Sequence, residues 1–229
     1  MTACVVWWAA PSAKESWHGL LDQHEQQRYA AYRQEVDRHR FLTGRAMAKH
    51  LAAERLGIDA ASVRFDASCD DCDKQHGPPR IPGASLALSI SHSGDWVGVA
   101  ATDGAAVGLD VEVTRRKLDD SLVEYALNAT ESAALTGLSG DARADGFFGY
   151  WTRKEAAMKA TGRGLRIPLQ SITLSPPSEA PRLIASADAN LDPDGVRMAD
   201  LHPGEGHRAA IAVLTSRDLE VAERWWDGS

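Results

Sequence analysis

Residues Leu86 to Val113 read LALSISHSGDWVGVAATDGAAVGLDVEV, and the period of two in this stretch decides the fold class. Leu86, Leu88 and Ile90 alternate with Ala87, Ser89 and Ser91, the pattern of a half-buried strand that runs out at His92, Ser93 and Gly94. Trp96 to Ala101 predicts a second strand, Asp103-Gly104 a hairpin-type turn, and Val107 to Val113 a third strand, so the stretch reads as an antiparallel meander. Upstream, Val5 to Trp8 reads as a strand. Gln23 to Leu56 is helical in composition, with Tyr29, Tyr32, Val36, Leu42, Ala46 and Leu51 at helical spacing and Gly57 as its cap. Downstream, Leu118 to Ala126 predicts a helix. Asn128 and Glu131 fit the N-cap and N3 positions of another, and Asp145 to Thr161 a third, closed by Gly162. Beyond Pro168, Ser171 to Leu174 and Arg208 to Leu214 read as strands. Helix, meander, helices and further strands predict an α+β protein in two halves, 1–104 and 105–229, joined near residues 102–106.

The composition of the 229 residues, 44% hydrophobic and 25% charged, is that of a soluble globular protein and excludes disorder. The 25 basic and 32 acidic residues leave a net charge of −7, so the chain lacks the basic excess that nucleic-acid binding requires. The longest apolar run, Ala3 to Ala10, is far short of the roughly 20 residues of a membrane span, and no charged segment precedes it as in a signal peptide. Three cysteines, Cys4, Cys69 and Cys72, are too few and too odd in number for a disulfide framework. Together these point to a cytoplasmic protein that binds neither membranes nor nucleic acids.

Asp110 and Glu112, two apart on the third predicted strand, project from one face, while Leu109, Val111 and Val113 point the other way into a core. Two close carboxylates repel unless a cation lies between them, and hard oxygens at this spacing suit Mg²⁺ held with phosphate oxygens. On its own the pair also fits two solvated acids on an amphipathic strand. Trp151, Glu155 and Lys159 are each one turn apart on one helix face, and that face carries chemistry or a plain i, i+4 surface pair. Gly162-Arg163-Gly164 then permits close backbone approach to a ligand. Ser91-His92 places a hydroxyl and an imidazole one hairpin from the acids, and Arg40 offers a fork for phosphate. Cys69 and Cys72, followed by His76, have the look of a zinc knuckle; only three soft ligands are visible where structural zinc takes four, which favours a loop with free thiols.

Taken together these residues resemble a family. Gly108-Leu109-Asp110-Val111-Glu112 is similar to the G-[IVL]-D-[IVL]-E signature of the 4′-phosphopantetheinyl transferases. The segment from Trp151 through Lys154, Glu155 and Lys159 to Gly162 and Gly164 is similar to their W-x-x-K-E-[AS]-x-x-K-x-x-G-x-G signature. Ile90-Ser91-His92-Ser93 and the helix around Arg40 and Gly44 extend the match over most of residues 24–170, and the length resembles the monomeric Sfp type. The resemblance implies two similar α+β halves in a pseudo-twofold arrangement, each with a small antiparallel sheet packed on helices. It implies transfer of the phosphopantetheine arm of coenzyme A to a serine of an acyl or peptidyl carrier protein in polyketide, non-ribosomal peptide or fatty-acid synthesis, releasing adenosine 3′,5′-bisphosphate. Under it, Asp110, Glu112 and Glu155 hold Mg²⁺, or Mn²⁺ in its place. Lys159 stabilises or protonates the leaving phosphate, and Glu155, directly or through a metal-bound water, takes the serine proton. Arg40 and His92 meet the 3′-phosphate of coenzyme A, with Ser91 and Lys154 close by.

The chain departs from the family at Gly77-Pro78-Pro79-Arg80, where Gly-Lys-Pro is usual, which leaves Arg80 as the replacement cation. In the segment before Arg40, where the family often carries basic residues, His24, Gln27 and Arg28 stand unassigned. Arg115-Arg116-Lys117, just past the metal strand, is either a solvated turn or a landing site for an acidic carrier protein. Two other readings compete: a different Mg²⁺-dependent enzyme acting on nucleotides, and a non-catalytic zinc-knuckle module built on Cys69, Cys72 and His76.

Overall fold

The strand Thr2–Ala9 (β1) is apolar on both faces because it is buried on both. Val5, Trp7 and Ala9 belong to one core cluster and Cys4, Val6 and Trp8 to another. The computed structural model describes residues 1–69, 72–163 and 166–228, and for 69 and 72–76 the backbone alone. After β1 come the helices Gln23–Ala31 (α1) and Glu35–Leu56 (α2), then the strands Asp66–Cys69 (β2), Cys72–Arg80 (β3), Leu86–Ser93 (β4), Trp96–Asp103 (β5) and Val107–Val113 (β6). The second half continues with the helices Asp120–Ala126 (α3), Ala129–Ala134 (α4) and Gly140–Ala160 (α5). It ends with the strands Ile172–Leu174 (β7), Leu183–Ser186 (β8), Val196–Leu201 (β9), His207–Leu214 (β10) and Leu219–Trp225 (β11).

The layers run helix, sheet, sheet, helix. A six-stranded sheet ordered β11-β1-β5-β4-β3-β2 packs one face on α2 through Met47, Ala48 and Leu51. Its other face meets a three-stranded sheet, β6-β10-β9, through Leu109, Val111, Ile211 and Val213. That smaller sheet turns its far face, with Ala210 and Ala212, to α5. Each half is thus a sheet backed by one long helix, and the two repeat one plan in a pseudo-twofold arrangement, as the α+β reading expected. The first sheet is larger than expected and not wholly antiparallel: β11 returns from the end of the chain to pair with β1 in parallel. By hydrogen bonding, this strand of the 105–229 segment belongs to the first half's sheet. The helical stretch expected over Gln23 to Leu56 is two helices, because Tyr32 and Gln34 are extended at the break between them. Gly57 caps α2 in the left-handed conformation, and Asn128 with Glu131 forms the expected capping box of α4.

The meander is corrected in one respect. β4 and β5 form the hairpin, but β6 pairs with β10 and leaves its other edge toward the face of β4. Ser89, Ser91 and Ser93 close that edge. Their hydroxyls accept from the backbone N–H groups of Leu109, Val111 and Val113 at 2.9, 3.3 and 3.2 Å, so side chains do what a neighbouring strand's carbonyls would do. The polar face of the Leu-Ala-Leu-Ser-Ile-Ser alternation is therefore a seam between halves instead of a solvated surface.

Removing one rung should be costly. Ser89 and Leu109 are both buried, so Ser89→Ala leaves a buried N–H unpaired and should destabilise the protein by about 1–3 kcal/mol in urea unfolding. An unchanged midpoint would show that the rung carries no load.

Candidate active site

Gly108 determines how closely α5 approaches β6. A methyl built on it would come within 2.0 Å of the Ala156 carbonyl oxygen and 2.5 Å of the Ala160 nitrogen, so only a bare α-carbon lets the helix lie on the strand here. The last turns of α5 are consequently enclosed. From Thr152 to Ala160 every residue is buried except Glu155 and Lys159, which open as a stripe continuing that of Trp151. The face predicted from the i, i+4 spacing is the one polar opening of these last turns. Lys159 uses it to reach the strand: its Nζ donates to Asp110 Oδ1 at 2.7 Å, to the Leu109 carbonyl at 3.1 Å and to Ser91 Oγ at 3.1 Å. The ammonium is thus directed to the acid strand, where a plain surface pair would direct it to Glu155.

The acids are held from the β4 side. Ser91 donates to Asp110 Oδ1 at 3.1 Å and Ser93 to Glu112 Oε2 at 3.0 Å, while Arg116 stands 3.5 Å from the same Glu112 oxygen. Burial raises the Asp110 pKa, opposed by Lys159. Burial and then Asp110 raise that of Glu112. Glu155 is pushed up to about 7, by burial first and then by Asp110, with Lys159 opposing and Glu112 adding. Three carboxyls raised by burial, two of them also by neighbouring acid charge, form a site short of positive charge. Asp110 Oδ2 is moreover buried without a hydrogen-bond partner. Both observations fit a divalent cation. Among the described residues no three acid, histidine or cysteine side chains are gathered closely enough to enclose an ion by themselves. The protein would therefore supply part of a coordination shell, with phosphate oxygens and water as the remainder, as suits Mg²⁺.

Lys159 also lines a cavity of about 730 Å³ between the halves, where Arg40, Arg45 and Arg80 supply further positive charge and His92 an imidazole. Gly162, with φ +72°, ends α5 at its wall. Arg40 donates through Nε and Nη2 to the Gly94 carbonyl at 3.3 and 2.8 Å, and through Nη1 to Asp37 at 3.1 Å. His92 is exposed at the rim, its pKa held below the ordinary imidazole value by partial desolvation and then by Arg40 and Lys159. Arg80 lines this cavity and an adjoining one of about 480 Å³. Such a cavity, basic on its walls and joined to the acid strand through Lys159, can hold a polyphosphate.

Comparison with known proteins agrees with this geometry. The family model described as 4′-phosphopantetheinyl transferase superfamily matches residues 106–212, and one described as 4′-phosphopantetheinyl transferase, N-terminal, matches residues 6–104. A 4′-phosphopantetheinyl transferase of Bacillus subtilis is 32% identical over 139 residues, covering 60% of this chain and 58% of that protein. The 4′-phosphopantetheinyl transferase Sfp of Bacillus subtilis strain 168 is 27% identical over 161 residues, covering 70% and 68%. The 4′-phosphopantetheinyl transferase HetI of a Nostoc species is 30% identical over 182 residues, covering 77% and 71%. The chain thus spans less than two thirds of the length of the first of these relatives.

Two expected ligand contacts are corrected. Lys154 is fully buried, and its Nζ donates to Glu131 at 2.5 Å, to the Ala126 carbonyl at 2.9 Å and to the Leu169 carbonyl at 2.8 Å. One residue along a helix is a rotation of about 100°, which carries Lys154 from the Glu155 stripe into the core of the second half. Ser91 is likewise buried, with its hydroxyl committed to Asp110, Val111 and Lys159. The side chains of Cys69, Cys72 and His76, on which the zinc reading rests, lie outside the described residues, as does Gly164. Of His24, Gln27 and Arg28, Arg28 lines the cavity, and Arg163 does so too while pairing with Asp188 at 3.1 Å. Arg115, Arg116 and Lys117 are exposed, with Arg115 paired to Glu205. Sequence reasoning missed Ser93, whose signal was the Ser89-Ser91-Ser93 alternation, and Arg45, which had none.

The Lys154 correction is testable by stability alone. Lys154→Met leaves Glu131 buried without its cation and should cost about 3–5 kcal/mol in denaturant unfolding. A cost under about 1 kcal/mol would return Lys154 to the ligand side.

Proposed function

Given that this chain belongs to the 4′-phosphopantetheinyl transferase superfamily, we propose that it transfers the 4′-phosphopantetheine arm of coenzyme A to a serine hydroxyl of an apo carrier protein. The serine oxygen bonds to the phosphorus that bears the pantetheine, the bond from that phosphorus to the bridging oxygen breaks, and adenosine 3′,5′-bisphosphate leaves. The observation that carries the reading is the constellation of Asp110, Glu112 and Glu155 around Lys159, which lines a basic cavity large enough for a nucleotide.

Each residue has a task in that step. Asp110, Glu112 and Glu155 would hold Mg²⁺ or Mn²⁺, which when bound neutralises the pyrophosphate and polarises the bond that breaks. Glu155 would take the proton of the serine hydroxyl, directly or through a water. Lys159, fixed by Asp110 and the Leu109 carbonyl, would meet the charge that builds on the leaving phosphate. Arg40 and His92 would meet the 3′-phosphate, and Arg80 would stand along the nucleotide. The exposed Arg115, Arg116 and Lys117 would attract acidic acyl or peptidyl carriers to a chain whose net charge of −7 otherwise repels them. The protein would work in the cytoplasm as a monomer; among the described residues no helix is long and apolar enough to cross a membrane.

Incubation with coenzyme A, Mg²⁺ and a panel of apo carrier proteins, read by intact mass, should add one phosphopantetheine per carrier and release adenosine 3′,5′-bisphosphate. EDTA should stop the reaction and Mg²⁺ or Mn²⁺ restore it. Lys159→Ala should lower kcat by roughly 10²-fold or more. Unmodified carriers across the panel, or full turnover in EDTA, would contradict the proposal and its metal assignment respectively.

A further inference from the structure

An arginine stands beside the acid pair and is turned away from it. In the register of β6 and β10, Arg208 is the partner of Glu112, and Ala210 is the partner of Asp110. Partners directly across two strands share a face and have Cβ atoms about 5 Å apart, so Arg208 belongs with both acids to the side of the small sheet that meets α5. An arginine side chain can span that gap. Here it is directed elsewhere: Arg208 Nε donates to Asp145 Oδ1 at 2.7 Å and Nη2 donates to Asp145 Oδ2, a two-pronged contact with the second turn of α5.

The fork adds little to stability. The Arg208 and Asp145 side chains are 35% and 44% exposed, and ion pairs so open to water contribute weakly to folding. Its consequence for Glu112 is larger. That carboxyl already has one guanidinium beside it, since Arg116 lies 4.4 Å from the centroid of the Phe148 ring and 3.5 Å from Glu112 Oε2. A second one, arriving from the opposite strand, would donate to the lone pairs that a divalent cation needs. Asp145 is the acid that prevents this. Its hydrogen bonds are the first cause of the raised Arg208 pKa, while Asp200, a weaker influence on Arg208, is itself held by Arg153 through Nε at 2.8 Å and Nη2 at 2.6 Å.

We infer that Asp145 is a positioning residue for the transfer reaction: by holding Arg208 against α5, it keeps that guanidinium off Glu112 and leaves the acid pair open to a divalent cation. The inference rests on the metal assignment proposed above and deepens it by naming the residue that shields the site from the protein's own arginine.

The test is the affinity for Mn²⁺ of the protein saturated with coenzyme A, read from the electron paramagnetic resonance of the free ion and corrected for Mn²⁺ bound by coenzyme A alone. Asp145→Asn should raise the Mn²⁺ Kd roughly 5-fold or more, because the released guanidinium competes for Glu112 at close range. Asp145→Asn combined with Arg208→Gln removes the competitor and should return the Kd to within about 2-fold of wild type, a rescue that a merely structural role for Asp145 would not give. Arg208→Gln alone should bind Mn²⁺ at least as tightly as wild type. Circular dichroism checks the fold of each variant, and Asp145→Ser, with the same outcomes expected, replaces Asp145→Asn should that variant not fold. An unchanged Kd in the single Asp145 variant, or a loss that the double variant keeps, would overturn the inference while leaving the metal assignment intact. Wild-type protein that takes up no Mn²⁺ beyond that bound by coenzyme A would overturn both.

Discussion

The contact between Lys159 Nζ and Asp110 Oδ1, 2.7 Å across the junction of α5 and β6, is the interaction on which the site depends. Asp110 is 4% exposed, and a carboxylate so enclosed is stable only with a cation and hydrogen bonds at hand. Lys159 and Ser91 satisfy Oδ1, which leaves Oδ2 as the unpaired atom. The contact is possible because Gly108 lets α5 rest directly on the strand. One bare α-carbon thus couples a local sequence choice to the distance between an amine on a helix and an acid on a strand.

The two halves divide the work. The first supplies α2 and its arginines, together with the serine face of β4. The second supplies the acid strand and the helix stripe. Their seam is polar where the rest of the sheet-on-sheet interface is apolar, and two of its hydroxyls serve both strand and site: Ser91 and Ser93 accept a backbone N–H from β6 and donate to a carboxylate. Acids held in this way keep their orientation without reorganising as substrate charge changes, which is the condition for electrostatic stabilisation of phosphoryl transfer.

Much of this was legible in the sequence. The bounds of β6 match the stretch predicted from Val107 to Val113, and the Asn128 and Glu131 cap and the shared face of Glu155 and Lys159 follow from spacing alone. The partner of β6 was not legible, because a turn at Asp103-Gly104 indicates a reversal of the chain without saying which strand receives the next one. Lys154 was misplaced because a signature joins it to Glu155 in sequence, while helical rotation sends the two side chains to different environments. Arg45 was invisible for a plainer reason: its place at the cavity comes from contacts with Phe41, Phe65 and Glu25, and two of these are distant in sequence. Periodicity reads faces of elements well, and it is silent on what those faces meet.

The most direct measurement is the rate of arm transfer by Gly108→Ala at saturating coenzyme A. The added methyl must lift α5 from β6, so the account predicts a folded protein, destabilised by about 1–3 kcal/mol, whose turnover falls at least 10-fold because Glu155 and Lys159 no longer stand against Asp110. A Gly108→Ala protein with undiminished turnover would show that the close approach of helix and strand is not what builds the site.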